Sequence, residues 1–382
     1  MTGNQEPFGG FYRGRKVLVT GDTGFKGSWL SLWLLKLGAD VSGLGLEPDT
    51  DPSLFSMLEL AKDISHTTLD IRNGSELGAF IGDLKPDVIF HLAAQALVRK
   101  SHRQPIETLE TNFMGTANLL KAVSEAGYAG NNPCVFVAIT SDKCYDNRET
   151  YYAYRETDPL GGHDIYSASK GAMEILLSAW RSSYWPPASL VEHGVALAST
   201  RAGNVIGGGD WAEDRIVPDC VRAITSGETI IVRNPGSIRP WQHVLEPLSG
   251  YLQLGAEIGR YAQRKPELLS AWNFGPGADS AKTVKELVET LIEKWGRGSW
   301  ESKPQPGGVP EAVFLKLATE KASHVLHWHP VWQFTKTVET TAEWYKLACE
   351  KDISSETVKK ICLDQLQNFT SDAYEAQCEW AC

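Results

Sequence analysis

Between residues 16 and about 200 the chain alternates short apolar, β-branched runs with longer segments of helical period. Five runs stand out: KVLVT (16–20), DVSGLGL (40–46), DVIFHLAA (87–94), CVFVAIT (134–140) and GVALAST (194–200). None has the strict apolar/polar alternation of a sheet with one face in water, so each predicts a strand covered on both faces. SWLSLWLLKLG (28–38) and TNFMGTANLLKAVSEAG (111–127) have helical length and end in glycine, a common helix stop. Strands and helices in turn predict an α/β fold built on a doubly wound parallel sheet of Rossmann type.

After Arg201 the pattern changes. Glycine, proline and tryptophan gather in GNVIGGGDW and RNPGSIRPWQHV, interrupted by the helix-like TVKELVETLIEKWG (283–296). This texture predicts a smaller C-terminal lobe of loops and short helices over the sheet edge. The expected division is 12–200 for the sheet domain, 201–350 for the lobe with some segments returning to the sheet, and 351–382 for a tail without a readable motif.

Composition narrows the classes. With 382 residues, 42% of them apolar, the chain can bury a large core and a second smaller one. A net charge of -10 and no long basic run argue against a nucleic-acid binder, which would concentrate Lys and Arg. Seven cysteines without a C-x-x-C pair suggest neither disulfide framework nor zinc site, and point to a reducing cytoplasm. The absence of a long apolar window predicts a protein without membrane spans, and the first residues lack a signal-peptide core.

The first strand runs into Gly21-x-x-Gly24-x-x-Gly27 and then an apolar helix, the setting a dinucleotide fingerprint requires. Gly21 permits the tight turn, Gly24 lets backbone approach a pyrophosphate, and Gly27 brings helix against strand; Thr23, Phe25 and Lys26 complete the loop. Glu47 lies 20 residues after Gly27, and no Arg or Lys falls between Lys36 and Lys62, so NAD is favoured over NADP. Asp70 reads equally as a helix cap or, with Ile71, as an adenine contact. Two charges in the loop are unusual. A carboxylate at Asp22 beside pyrophosphate is expected to weaken NAD binding, with Lys26 offsetting it by pairing with Asp22 or with phosphate.

Tyr166 and Lys170, in YSASK, are one helical turn apart, so phenol and ammonium project from one face. A neighbouring ammonium favours the phenolate, which can act as base toward a sugar alcohol; the bland alternative is a surface pair. TSDK (140–143) ends a strand where ligands of α/β sheets gather. There Ser141 offers a hydroxyl, Asp142 an acid and Lys143 a base, or the group is merely a capped loop.

Together the glycine loop, HLAAQ (91–95), TNFMGTANLL (111–120), TSDKCY and YSASK resemble the extended short-chain dehydrogenases/reductases, in their nucleotide-sugar 4,6-dehydratase branch. The resemblance runs from about Arg15 to Trp332 and departs at one point: most of the branch places Asp-Glu where this chain has Asp142-Lys143. It implies NAD-mediated oxidation at C4, loss of water across C5 and C6, and return of hydride to C6. It further implies Tyr166, Lys170 and Ser141 at the oxidation centre, Asp142 as acid at C6 and Lys143 as C5 base or, left cationic, as an electrostatic stabiliser. Leu92, Ala93 and Ala94 are implied at the cofactor. Gln95, Asn204, Arg215, Arg239, Trp241 and His243 are implied at a nucleotide-sugar diphosphate, though Arg215 could be a structural salt bridge and Trp241 a core residue. A homodimer or homotetramer through helices 111–127 and 165–180 is implied as well.

No metal is expected: His324, His327 and His329 lack Cys or carboxylate partners at ligand spacing. The rivals are a 4-epimerase, which has no use for Asp142-Lys143, and a non-catalytic NAD sensor, which has no use for the intact Tyr166/Lys170 pair.

Overall fold

The computed structural model describes residues 6–303, 314–350 and 353–382. The five expected strands form as β1 (Lys16–Thr20), β2 (Asp40–Gly45), β4 (Val88–His91), β5 (Cys134–Ile139) and β6 (Val195–Arg201), and a short strand β3 (Ser65–Thr68) joins them. A seventh, β7 (Ala271–Asn273), arrives from the C-terminal half and pairs with β6. All pairs in this sheet are parallel, in the order β7-β6-β5-β4-β1-β2-β3. The chain reverses direction of growth between β1 and β4, so a crevice opens at their carboxyl ends, where doubly wound folds bind ligands.

Alternate residues of each central strand serve different faces, which explains their lack of polar positions. Val17, Val19, Val135 and Val137 join one core with Trp29 and Trp33, whereas Leu18, Ile89, Phe136 and Leu197 join another with Leu119, Leu120 and Met173. The helices α1 (Phe25–Lys36), α2 (Gly74–Leu84), α3 (Thr116–Glu125) and α4 (Ile165–Ser183) supply these layers. The predicted helix over 111–127 is not uniform: Glu110–Gly115 is a π-helical turn and α3 follows it. Gly115 packs there on Ile71, where a Cβ would come within 2.6 Å of the isoleucine side chain.

The second half adds α5 (Ile216–Ser226), α6 (Leu245–Tyr261), α7 (Val284–Trp295), α8 (Phe334–Ala348) and α9 (Ser355–Glu375). Helix α9 returns to the first half of the chain. Phe369 and Trp380 pack on Trp33, Trp380 stacks on Phe8 at 5.0 Å, and Lys359 pairs with Asp63 at 2.6 Å. Among the described residues no helix is long and apolar enough to cross a membrane.

Candidate active site

The glycine loop joins β1 to α1 with the geometry its sequence predicts. Gly21 has φ +74°, and a Cβ on it would sit 2.7 Å from the Ala93 nitrogen, so β1 and the end of β4 approach as closely as backbone allows. At Gly27 a Cβ would strike the Gly21 carbonyl at 2.0 Å. Gly24 is the N-cap of α1 and gives it no side-chain cap, which leaves the first N–H groups of that helix facing the crevice. Leu92, Ala93 and Ala94 line its other bank, with the Leu92 and Ala93 N–H groups held by Thr20. These features fit a pyrophosphate: an open cradle that side chains would fill, at a helix N-terminus.

The two loop charges part company. Asp22 is 0% exposed and turns into β2, where Gly43 and Gly45 leave room and the His66 ring meets it at 2.6 Å. Burial raises its pKa, opposed by the His66 hydrogen bond. The expectation that Asp22 stands beside pyrophosphate, or pairs with Lys26, is therefore corrected: side-chain-free positions on β2 and a histidine partner draw it away. Lys26 instead lies toward Arg215, Asp142 and Lys170. Its pKa is held down to about 8 by burial and by Arg215 and Lys170, with Asp142 and Asp210 opposing.

Glu47 follows β2 in an exposed position and accepts a hydrogen bond from Thr68 at 3.3 Å. Asp70 does not cap α2; Asn73 does, accepting from the Glu76 N–H, while Asp70 grips Arg72. The arginine keeps the Asp70 carboxyl below its ordinary range. Ile71 is buried in the core.

At the carboxyl end of β5, Ser141 starts a 3-10 turn over Asp142–Cys144 and accepts the Lys143 N–H at 3.2 Å. Its hydroxyl donates to Asp142 at 3.0 Å. Asp142 is 4% exposed and lies against Gly203, where a Cβ would fall 1.8 Å from its carboxylate oxygen. Asp164 caps α4 through the Ser167 N–H and so fixes the first turn that carries Tyr166. Burial pushes the Tyr166 phenol up to about 12, while the neighbouring Ser141 hydroxyl and the charge of Arg215 pull it back. Lys170, 2% exposed, is held down to about 8 by burial, with Glu174 opposing. Ser141 thus stands between Asp142, to which it donates, and Tyr166, with Lys170, Lys26 and Arg215 around them. A cavity of about 230 Å³ opens beside Asp142 between Gly203, Gln242, Lys316 and Thr319.

The residues expected at a diphosphate are dispersed. Arg215 makes the salt bridge left open by its sequence, to Asp210 at 2.9 Å, yet its charge also reaches Tyr166. Asn204 has φ +53° and its carbonyl accepts the Gln242 N–H; Arg239 holds the Ile238 carbonyl. Gln95 is buried with its amide bound to Leu97 and Thr108. Trp241 and His243 are corrections. Trp241, 5% exposed, donates to the Lys282 carbonyl, and His243 is enclosed between Trp29 and Trp332, so both belong to the core. Burial drives the His243 ring down to about 3. The sequence reading passed over Glu174, Arg201 and Asp210. Of these, Glu174 was traceable, lying four residues beyond Lys170 on the same helix face.

A doubly wound sheet with a glycine cradle, a helical Tyr/Lys pair and an acid at a strand end defines a nucleotide-sugar-modifying member of the short-chain dehydrogenases/reductases. The chain belongs to the GDP-mannose 4,6 dehydratase family, whose model matches residues 18–341. It is 49% identical over 341 residues to a CDP-glucose 4,6-dehydratase of Salmonella typhimurium, covering 88% of this chain and 92% of that protein. In fold it is similar to a dTDP-glucose 4,6-dehydratase from Streptomyces venezuelae solved with NAD and TYD bound, at 23% identity and TM-score 0.71 over 87% of this chain and 97% of that one. It is also similar to an epimerase from Methanothermobacter thermautotrophicus, at 22% identity and TM-score 0.74 over 90% and 96% of the two chains.

Proposed function

We propose that the protein is an NAD-dependent hydro-lyase converting CDP-D-glucose to CDP-4-dehydro-6-deoxy-D-glucose and water, a step of deoxysugar biosynthesis of the O-antigen or lipopolysaccharide type. The observation that carries this reading is Ser141 hydrogen-bonded to Asp142 and set beside Tyr166, in a chain 49% identical to a CDP-glucose 4,6-dehydratase. Bound NAD would accept hydride from C4 and give it back at C6. Gly21, Gly24, Gly27 and the N-terminus of α1 would hold its pyrophosphate, with Thr23, Phe25, Ala93 and Ala94 around it and Glu47 at the adenosine ribose.

Tyr166, as phenolate, takes the proton of the C4 hydroxyl. With Asp142 protonated, as its acid role requires, the Ser141 hydroxyl that here donates to Asp142 is free to turn its proton toward the phenolate, and Lys170 contributes positive charge. Once C4 is a ketone, the C5 proton is acidic. Lys143 removes it as a neutral amine, or stays charged and stabilises the enolate. Asp142 gives its proton to the C6 hydroxyl as water leaves. Asn204, Arg215 and Arg239 are assigned to the nucleotide diphosphate, where arginine can bind phosphate bidentately. The division into a cofactor domain (12–200), a substrate lobe (201–350) and a tail (351–382) follows from these assignments.

A cytoplasmic setting is supported by seven free cysteines. Self-association through α3 and α4 is supported by the exposed apolar side chains Ile106, Met114 and Ile175 on and beside those helices, giving a homodimer or homotetramer. The test is a panel of CDP-, dTDP-, GDP- and UDP-hexoses with and without added NAD. The proposal requires a 4-keto-6-deoxy product from CDP-glucose, detected by its base-induced absorbance. A 4-epimer in place of that product would identify an epimerase, and inertness toward every sugar would favour an NAD sensor.

A further inference from the structure

Beneath the proposed catalytic pair lies a buried ion pair to which the reaction scheme gives no role. Glu174 stands one turn beyond Lys170 and two beyond Tyr166 on α4, so the three side chains share a face. Its carboxylate accepts hydrogen bonds from the Thr140 hydroxyl at 2.5 Å, the Ser199 hydroxyl at 2.9 Å and the Arg201 guanidinium at 2.8 Å. Arg201 also donates to the Tyr145 hydroxyl at 2.7 Å, and Tyr145 donates to Asn273 at 2.8 Å. One network therefore joins α4 to β5, β6 and β7, and it meets β5 at Thr140, the residue before Ser141.

Stability alone is a weak account of such a pair, because well-packed apolar residues of similar volume often serve as well or better. What an apolar replacement could not do is present a negative charge to Lys170. The groups facing Lys170 are Glu174 on its own helix, Cys144 after β5, His91 on β4 and Lys26 at the start of α1, with Tyr166 one helical turn before it on α4. Burial keeps Cys144 a thiol and drives His91 down to about 3, so neither carries charge at neutral pH. Lys26 is a second cation. Glu174 is the anion that balances the Lys170 ammonium, whose own hydrogen-bond contact is the Met173 sulfur at 4.0 Å.

We propose that Glu174 is a positioning residue acting through Lys170: its carboxylate, fixed by Thr140, Ser199 and Arg201, keeps the ammonium charged beside Tyr166. It also locks the helix of that pair to the strand end bearing Ser141, Asp142 and Lys143. The inference rests on the proposed C4 oxidation by Tyr166. The productive form is phenolate at Tyr166 with ammonium at Lys170. Removing the Glu174 charge lets both groups lose a proton at lower pH, and Lys170 loses its own more often than Tyr166.

The experiment follows the first-turnover absorbance of NADH against pH, with CDP-glucose and saturating NAD, in wild type, Glu174→Gln and the double variant Glu174→Gln/Arg201→Met. Glutamine keeps the acceptor, and the double variant also removes the stranded guanidinium, so that folding and charge effects separate. Glu174→Gln should shift the acid limb of the profile downward by roughly one pH unit and lower its plateau about tenfold, whereas the double variant, which loses a positive charge along with the negative one, should return the limb toward the wild-type position. Glu174→Asp should restore most of the plateau. A limb at the wild-type position in folded Glu174→Gln, with only the amplitude scaled, would overturn the role of Glu174. Wild-type protein that forms no NADH would overturn the proposed function instead, so the two failures are distinct.

Discussion

The Asp22 carboxylate and the His66 ring meet 2.6 Å apart in a slot made by Gly43 and Gly45 on β2, one carboxylate oxygen remaining without a partner. A charged side chain in a phosphate-binding loop is thereby removed from the phosphate. Asp22→Asn should consequently leave NAD affinity within about threefold of wild type, whereas a carboxylate beside pyrophosphate would cost on the order of 1 kcal/mol or more. Isothermal titration with NAD distinguishes the two. The same variant bears on stability. Burial raises the Asp22 pKa in the folded state, so its contribution is present at low pH and is lost as pH rises through the folded value. The melting temperature of Asp22→Asn should therefore equal or exceed that of wild type at pH 8.

Lys26 carries the cofactor prediction that Asp22 gives up. With its ammonium held down to about 8, it is charged below that pH and neutral above it. If it serves the cofactor phosphates, NAD affinity should weaken above pH 8, by up to about tenfold per unit, and Lys26→Met should flatten that dependence. Fluorescence titrations between pH 7 and 9.5 provide the measurement; an equal slope in the variant would assign the dependence elsewhere.

Gly203 and Asp142 offer a way to separate the half-reactions. A methyl group on Gly203 would fall 1.8 Å from the Asp142 carboxylate and displace it. Gly203→Ala should still form NADH from CDP-glucose while losing about a hundredfold or more in product release, the scale of general acid catalysis. Tyr166→Phe should abolish the NADH signal as well. Lys143→Gln should keep the signal and suppress exchange of the C5 proton with solvent; unimpaired exchange would favour the stabilising role over the base.

Glu246 predicts a pH limit on stability. It is fully buried with no cation beside it among the described residues, accepts the N–H groups of Val331 and Trp332, and is pushed up to about 8 by burial, against those hydrogen bonds. Because the folded value exceeds the unfolded one, its contribution is complete below about 4.5 and disappears as pH passes 8. Glu246→Gln should shallow the fall of melting temperature between pH 7 and 9. Glu246→Ala should cost about 1–3 kcal/mol at pH 7, leaving backbone donors unpaired.

The central sheet was legible because strands buried on both faces leave no polar positions, and β1, β5 and β6 appear within a residue of their expected limits. β4 stops at His91 because Leu92 to Ala94 turn away to border the crevice. β7 escaped notice since three residues, Ala271–Asn273, carry too little pattern. Tyr166 stands beside Ser141 at the strand end, and Lys170 follows it by one helical turn. Long-range placement was not legible. Nothing near Asp22 announces His66, and RPWQHV gives no sign that Trp241 and His243 face inward while Arg239 does not. Glu174 was traceable to the Lys170 face by its spacing, but its partners were not: Thr140, Ser199 and Arg201 come from the ends of β5 and β6, and only the folded sheet assembles them.

The contact of Phe369 and Trp380 with Trp33 and Phe8 has a consequence for biogenesis. Strand β1, α1 and the glycine cradle leave the ribosome early, but the aromatic cover of α1 is made near the other end of the chain. At about 5–20 residues per second the nascent cofactor half waits some tens of seconds with Trp33 uncovered, a window in which chaperones or aggregation compete with folding.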